Sequence, residues 1–186
     1  MSGDLRVQRT NKLLCDALRD LLCEKSFASI QVTEICERAM VRRATFYKHF
    51  SDKYDLFEHM VKEEQLRLRA EGEGRPGPED SRESLLWCID RVFTLIERDE
   101  SIVRHTLADP TDQTLAALIA RRVEEDALEG LLAQERQGDA MPASPEVMAA
   151  AFTGALSYTA QWWVRRGFEP PRAEVVEQLT DVLVST

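Results

Sequence analysis

The chain has 186 residues, 44% of them hydrophobic and 31% charged, with a net charge of −9. That is enough apolar material to bury a real core, which excludes a disordered chain and a disulfide-dependent miniature fold. No uninterrupted apolar run approaches the roughly 20 residues that cross a bilayer, and Met1 to Lys12 lack the apolar core of a secretory signal, so a soluble, cytoplasmic protein without membrane contact is expected. The charge is unevenly placed: residues 1–53 hold 10 Lys and Arg against 7 Asp and Glu, a net of +3, and the remainder nets −12. A basic head on an acidic body orients itself toward a polyanion.

In chain order, Leu13, Leu14, Ala17, Leu18, Leu21 and Leu22 recur at three- and four-residue intervals and predict a first helix from about Thr10 to Lys25. Phe27 and Ile30 then close a small core. A short second helix follows Thr33, whose hydroxyl is placed to cap it and which is followed by Glu34, and ends near Ala39. After Met40 and Val41 a third helix carries Ala44 to Phe50, and Ser51 or Asp52 caps a fourth that runs to about residue 70.

Gly and Pro mark breaks at Gly72–Pro78 and Gly138–Pro145. Between and beyond them the pattern stays helical: Ser81 to about Arg98, a short segment ended by Asp109-Pro110-Thr111, a longer helix to about Ala133, Val147 to Arg166 stopped by Gly167, and a last helix from about Arg172 to Val184 opened by Pro170-Pro171. No stretch alternates with period two. The expected fold is all-α: a three-helix helix-turn-helix head in a first domain, 1–53, and a second domain, 54–186, in which a linking helix leads into a helical-bundle body for ligand binding and dimerisation.

Two short helices separated by three or four residues, the second bearing basic and aromatic side chains, form the arrangement that lays its second helix in the major groove. Phe46 and Phe50, four residues apart, point inward with Val41, whereas Arg43, Ala44, Tyr47 and Lys48 share a face that no core claims. Arg43 can donate two hydrogen bonds to guanine O6 and N7, Ala44 permits close approach to a base or a thymine methyl, and Tyr47 and Lys48 reach base edges or phosphate.

The stretch from Thr10 to Leu56, above all Val32-Thr33-Glu34-Ile35-Cys36-Glu37-Arg38-Ala39 and Thr45-Phe46-Tyr47-Lys48-His49-Phe50-Ser51-Asp52-Lys53-Tyr54-Asp55-Leu56, resembles the DNA-binding head of TetR/AcrR-type regulators. The likeness covers about a quarter of the chain. Phe152-Thr153-Gly154 and Trp162-Trp163-Val164-Arg165-Arg166-Gly167 are similar in layout to the body of one subgroup. The resemblance implies about nine helices, a homodimer formed by the last two long helices and a ligand pocket within each body. It places Thr33 and Lys53 at phosphates, Thr45, Tyr47 and His49 at backbone or bases, and Arg43, Ala44 and Lys48 where sequence is read. The chain departs from the family where Met40 replaces the usual turn Gly and Arg42 the usual capping Ser; Arg42 is assigned to phosphate in compensation.

In the body, the pocket is assigned to Trp87, Phe93, Phe152, Leu156 and Thr159. The dimer surface is assigned to apolar residues beyond what one bundle face needs: Met148, Trp163, Val176, Leu179 and Leu183, together with Phe152 and Leu156. Cys15, Cys23, Cys36 and Cys88 form no CxxC pair and read as reduced thiols packed in helices, with a redox pair as the minority reading. Neither histidine nor cysteine spacing suggests a metal, and no nucleophile stands with a base, so no cofactor and no enzymatic activity are expected.

The sequence therefore points to a homodimeric, ligand-responsive repressor that binds double-stranded DNA at a palindromic operator and responds to a small-molecule effector. The competing reading is a small α-helical binding protein, coactivator or enzyme with a vestigial helix-turn-helix.

Overall fold

The computed structural model describes residues 2–72, 81–106, 114–138 and 141–184, and divides into two compact units, Met1–Pro76 and Gly77–Thr186. In chain order the helices are α1 (Ser2–Glu24), α2 (Val32–Arg38), α3 (Arg43–His49), α4 (Lys53–Gly72), α5 (Ser81–Arg98), α6 (Glu100–Thr106), α7 (Thr114–Gln137), α8 (Pro145–Arg165) and α9 (Arg172–Val184), with one 3-10 turn at Phe27–Ser29. There is no strand among the described residues, and none of their helices is long and apolar enough to cross a membrane. The expected breaks at residues 73–78 and 109–111 lie outside the described residues.

Helix α1 starts eight residues before the predicted Thr10. Leu5 and Val7 there are exposed and set no apolar period to read. From Leu14 onward the helix is amphipathic, and Leu14, Ala17, Leu18, Leu21 and Leu22 are buried against Phe27, Ile30, Ile35, Cys36, Phe46 and Phe50. Leu13, expected in this core, is 42% exposed.

Helix α4 completes the head, because Leu56 and Phe57 in its first turns are buried and Phe57 packs on Phe27 with ring centroids 5.6 Å apart. The packing boundary thus lies one helix beyond the functional boundary drawn after residue 53. The first turn of α4 is capped by Asp52, whose Oδ1 accepts from the backbone N–H of Tyr54 (2.8 Å) and of Asp55 (2.9 Å). Asp55 returns the arrangement by accepting from Ser51 N–H at 2.8 Å.

In the second unit, α7 packs along α8 and α5 along α9. Ile89, Phe93 and Ile96 of α5 meet Leu156, Ala160, Trp163 and Val164 of α8 and Val175, Val176 and Leu179 of α9 in one cluster. Arg172, at the start of α9, bonds three side chains of α5: Asp90, Glu97 (3.0 Å) and Thr94 (2.7 Å). Helix α8 opens on Ser144 and Pro145 and ends, as its sequence predicts, at Gly167, which has φ 70°. Gly167 N–H donates to Val164 O and Phe168 N–H to Trp163 O, both at 3.0 Å, which is the Schellman pattern. Its usual apolar contact is the edge-on pair Trp163–Phe168, 4.9 Å between centroids.

Two expectations for the body are corrected here. Trp163, assigned to a dimer surface, is fully buried in its own unit, stacked near Phe93 (5.2 Å) and donating its indole N–H to Pro170 O at 2.8 Å. Val176 and Leu179 are buried in the same core, and a side chain already withdrawn from water has no area left to bury on association. Met148 and Leu183 are half-buried. Of the residues assigned to a pocket, Phe93 and Leu156 belong to the packed cluster, Phe152 lies against it, and Trp87 and Thr159 are half-buried, with the Arg91 guanidinium 4.6 Å over the Trp87 ring.

Candidate nucleic-acid interface

Helices α2 and α3 are each seven residues long and are joined by a tight turn. Ala39 N–H donates to Ile35 O (2.9 Å), Met40 N–H to Glu37 O (3.1 Å) and Val41 N–H to Cys36 O (2.9 Å), so the amides of the turn are satisfied before α3 begins. Met40 holds φ 52°, the left-handed backbone that its position demands and that Gly adopts without strain. Its side chain is 94% exposed and offsets none of that cost by packing.

Thr33 is not the cap of α2. Gln31 occupies that position, with its backbone carbonyl accepting from the Glu34 N–H at 3.0 Å, while Glu34 Oε2 accepts from Gln31 N–H at 2.8 Å. Thr33 therefore sits two residues inside the cap, as the second helical residue, and the Glu34 carboxylate closes the N-terminus by bonding Gln31 N–H. Glu34 also bonds the Lys25 ammonium, and these partners hold its carboxyl below the usual carboxylate range. Thr33 is half-buried at the start of α2.

Helix α3 divides into two faces. Phe46 and Phe50 are buried with ring centroids 6.0 Å apart, which fixes the helix on the head. Arg43, Ala44, Tyr47 and Lys48 are exposed together, with Arg42 exposed at the cap position just before them, where its side chain makes no capping bond. Thr45 and His49 are half-buried at the edges of this face. Among the described residues, Arg42, Arg43 and Lys48 have no hydrogen-bond or ion-pair partner, whereas Lys12, Lys25 and Arg38 of the same unit pair with Asp16, Glu34 and Glu24. Three unpaired cations, a phenol and a methyl-sized residue on two turns of helix match the donor and shape requirements of a DNA groove.

The structure therefore brings together the predicted group Arg42, Arg43, Ala44, Tyr47 and Lys48. His49 is more constrained than its sequence position suggests: Nδ1 bonds Oδ1 of Asn11 at 2.7 Å, which ties the end of α3 to α1. Lys53 is expected at a phosphate, and in the free protein its ammonium donates to three backbone carbonyls, Phe27 O (2.8 Å), Ala28 O (3.1 Å) and Ile30 O (2.8 Å). No local signal in the sequence forecasts this, because its acceptors lie more than twenty residues away and are main-chain atoms. The Gln31–Glu34 box was legible in principle as Q-x-x-E before an apolar run.

Cys36 is buried and Cys15 half-buried, as expected of packed thiols, whereas Cys23 and Cys88 are exposed, which corrects the expectation for those two. Burial pushes Cys15 up to about 11 and raises Cys36 and Cys88, the opposite of an activated thiolate. No cluster of three or more His, Cys, Asp or Glu among the described residues is placed to hold a metal.

The family model for bacterial regulatory proteins of the tetR family matches residues 14–60, the unit just described. An uncharacterised HTH-type transcriptional regulator of Haemophilus influenzae is 30% identical over 129 residues, 66% of this chain and 63% of its own length. The HTH-type regulator YxbF of Bacillus subtilis is 41% identical over 59 residues, 31% of this chain and 16% of its own length. The chain thus aligns with less than two thirds of the length of these relatives. Among solved structures, the fatty acid degradation regulator FadR of Bacillus halodurans superposes with TM-score 0.66 at 18% identity over 94% of both chains. FadR of Bacillus subtilis, solved with stearoyl-CoA, gives 0.64 at 19% over 94% of this chain and 97% of its own. These likenesses show a shared fold. The family model lies on the helix-turn-helix and helix-turn-helix regulators stand among the relatives, so residues 14–60 are similar to the helix-turn-helix head of bacterial regulatory proteins of the tetR family.

Proposed function

We propose that the chain is a sequence-specific, DNA-binding transcriptional regulator, acting in the cytoplasm as a homodimeric repressor that a small-molecule effector releases from a palindromic operator. The observation that carries the reading is the unpaired basic face of α3. Every cation left without a carboxylate costs self-repulsion with its neighbours, and Arg42, Arg43 and Lys48 stand within seven residues of one another. A vestigial head kept as scaffold gains nothing from that arrangement, which disfavours the reading as a small binding protein or enzyme.

The dimer is assigned to the exposed side of α8 and α9 in place of the buried residues named from sequence. Val147, Ala151, Gly154 and Tyr158 are exposed at alternating four- and three-residue spacing on α8, and Tyr158 is 68% exposed; Val182 on α9 is exposed as well. Such a seam of apolar and small residues is what a second copy of the same helix covers. The effector is assigned to the body, between helices, where Thr153 buries a hydroxyl with no partner on the same side of α8 as Leu156. The stearoyl-CoA bound to the Bacillus subtilis neighbour makes a molecule with a long apolar part the first class to try.

Selection of bound sites from a random duplex library tests the whole reading. A recovered inverted repeat with half-sites about one helical turn apart supports it; the absence of any enriched sequence at low salt overturns it.

A further inference from the structure

We infer that Met40 is a further DNA-contact residue, whose side chain lies against an apolar edge of the duplex, a thymine methyl or deoxyribose carbons, beside the phosphate assigned to Arg42. The inference deepens the DNA-binding reading and rests on it.

The backbone fixes where Met40 stands. Ala39 before it is buried and Val41 after it is half-buried, so the head holds the turn on both sides and the side chain between them projects away from the core. The amides of Met40 and Val41 both bond carbonyls of α2, Glu37 O at 3.1 Å and Cys36 O at 2.9 Å. A side chain on a backbone held in this way is presented before any partner arrives, and little main-chain ordering remains to oppose binding.

Methionine is unfavourable here for the free protein on two separate grounds. At φ 52° a Cβ crowds the main chain, which Gly avoids. At 94% exposure Met40 is also the most exposed of the large apolar side chains among the described residues, ahead of Leu5 at 70%. Arg42 adds a second such position to the same turn. It occupies the cap of α3 without a capping bond, and its guanidinium is exposed with no partner among the described residues. Two positions of one turn that forgo stability in the free head are explained together when both act in the bound state.

The neighbourhood identifies the partner. Arg42, Arg43 and Ala44 are exposed from two residues after Met40 onward, so the turn is continuous with the face assigned to the duplex. An apolar protein surface seated on Met40 would strip water from unpaired guanidinium groups, and a second copy of this turn would bring the same cations against them. A duplex meets both requirements, because its phosphates take the guanidinium while thymine methyls and sugar carbons offer apolar surface alongside. The unbranched, polarizable thioether adapts to such an irregular edge.

The test uses the full chain with three variants: Met40→Gly removes the side chain and relieves the backbone, Met40→Ala keeps the Cβ, and Met40→Gln keeps the length but replaces the thioether by an amide. Each is melted without DNA and titrated against the duplex selected from the random library, across salt from about 50 to about 200 mM. The titrations are repeated with deoxyuridine in place of each thymidine in turn, which removes only the 5-methyl group. Met40→Gly is expected to melt higher than the parent and yet to bind about threefold to tenfold more weakly. Met40→Ala and Met40→Gln are expected to lose affinity by a similar factor, and no variant to change the salt slope, since no charge is altered. A thymidine whose replacement weakens the parent but not Met40→Ala identifies a methyl contact; variants that weaken binding with no such thymidine identify the deoxyribose. Affinity at or above the parent's in Met40→Gly and Met40→Ala overturns the inference and leaves the DNA reading standing. So does a loss that follows melting temperature from variant to variant, or one that sedimentation traces to weakened self-association. If the unaltered chain binds no duplex, the DNA reading fails and this contact fails with it.

Discussion

The imidazole of His49 is held by Asn11, Nδ1 to Oδ1 at 2.7 Å, across 38 positions of sequence. With the amide oxygen as acceptor, Nδ1 is the donor, and Nε2 at the end of α3 accepts from water or another donor in the singly protonated ring and meets a phosphate only when it carries a proton of its own. Asn11→Ala is expected to leave the fold intact, since one part-buried hydrogen bond contributes about 1 kcal/mol. DNA affinity is expected to fall by about threefold to tenfold as the ring loses its orientation. Paired melting and anisotropy titrations check this, and a loss confined to stability would assign His49 a packing role.

Arg43 and Lys48 lie on the same exposed face of α3, and their roles are separable by what is lost. Arg43→Ala is expected to relax preference at one base pair per half-site, at about 1–3 kcal/mol, with little change at other positions. Lys48→Ala is expected to weaken all duplexes alike. Affinities for a panel of single-base operator variants distinguish the two patterns, and uniform losses in both variants would contradict the division.

Met40 occupies a left-handed backbone at φ 52° with its side chain in solvent. Met40→Gly removes the steric cost of a Cβ there, on the order of 1–2 kcal/mol, and adds the flexibility of Gly to the unfolded chain. The net expectation is a head more stable by about 0.5–1 kcal/mol. A lower melting temperature in Met40→Gly would mean that the Met side chain is held by contacts absent from this structure.

These residues show what the sequence carries and what it cannot. The third helix and its exposed basic face were legible because Phe46 and Phe50 repeat with the helical period and leave the remaining positions to solvent. The stop at Gly167 was legible because one residue type relieves one backbone angle. The carbonyl contacts of Lys53 were not legible, because an exposed-looking lysine gives no sign of distant main-chain acceptors. Trp163 was misplaced because hydropathy marks an apolar side chain for burial but does not say against which copy of the chain. The exposed seam Val147, Ala151, Gly154 and Tyr158 was overlooked because small residues contribute little to an apolar count, although they set how closely helices approach.

Glu34 gives the head a specific acid sensitivity. Hydrogen bonds from Lys25 and from Gln31 N–H lower its carboxyl in the folded state, so the folded form binds the proton less readily than the unfolded one. The stabilisation is present above the unfolded value, near 4.5, and is lost as pH falls through the lower folded value. Glu34→Gln is expected to flatten the loss of head stability below about pH 4.5, measured by melting across an acid series. Parallel profiles for variant and parent would remove Glu34 from the acid response. Because Gln keeps an acceptor for Gln31 N–H but loses the charge that Lys25 bonds, the variant is expected to start from a slightly lower stability at neutral pH.

Thr153 buries its Oγ1 with no partner, in a face of α8 otherwise made of Ala149, Leu156 and Ala160. An unsatisfied hydroxyl costs about 1–3 kcal/mol relative to an apolar group of the same shape, and Val has that shape. Thr180 provides the internal contrast, because its equally buried hydroxyl bonds Val176 O at 2.7 Å. Thr153→Val is therefore expected to raise the stability of the body by about 1 kcal/mol, and Thr180→Val to lower or leave it unchanged. A hydroxyl kept at such a cost is explained if an effector bonds it, so the variant that stabilises the free protein is expected to respond less to an effector, with a larger ligand concentration needed to weaken DNA binding. Melting curves with and without an effector found by screening measure both effects. Destabilisation by Thr153→Val would show that the hydroxyl has a partner in the free protein, and an unchanged effector response would show that ligand recognition does not run through this residue.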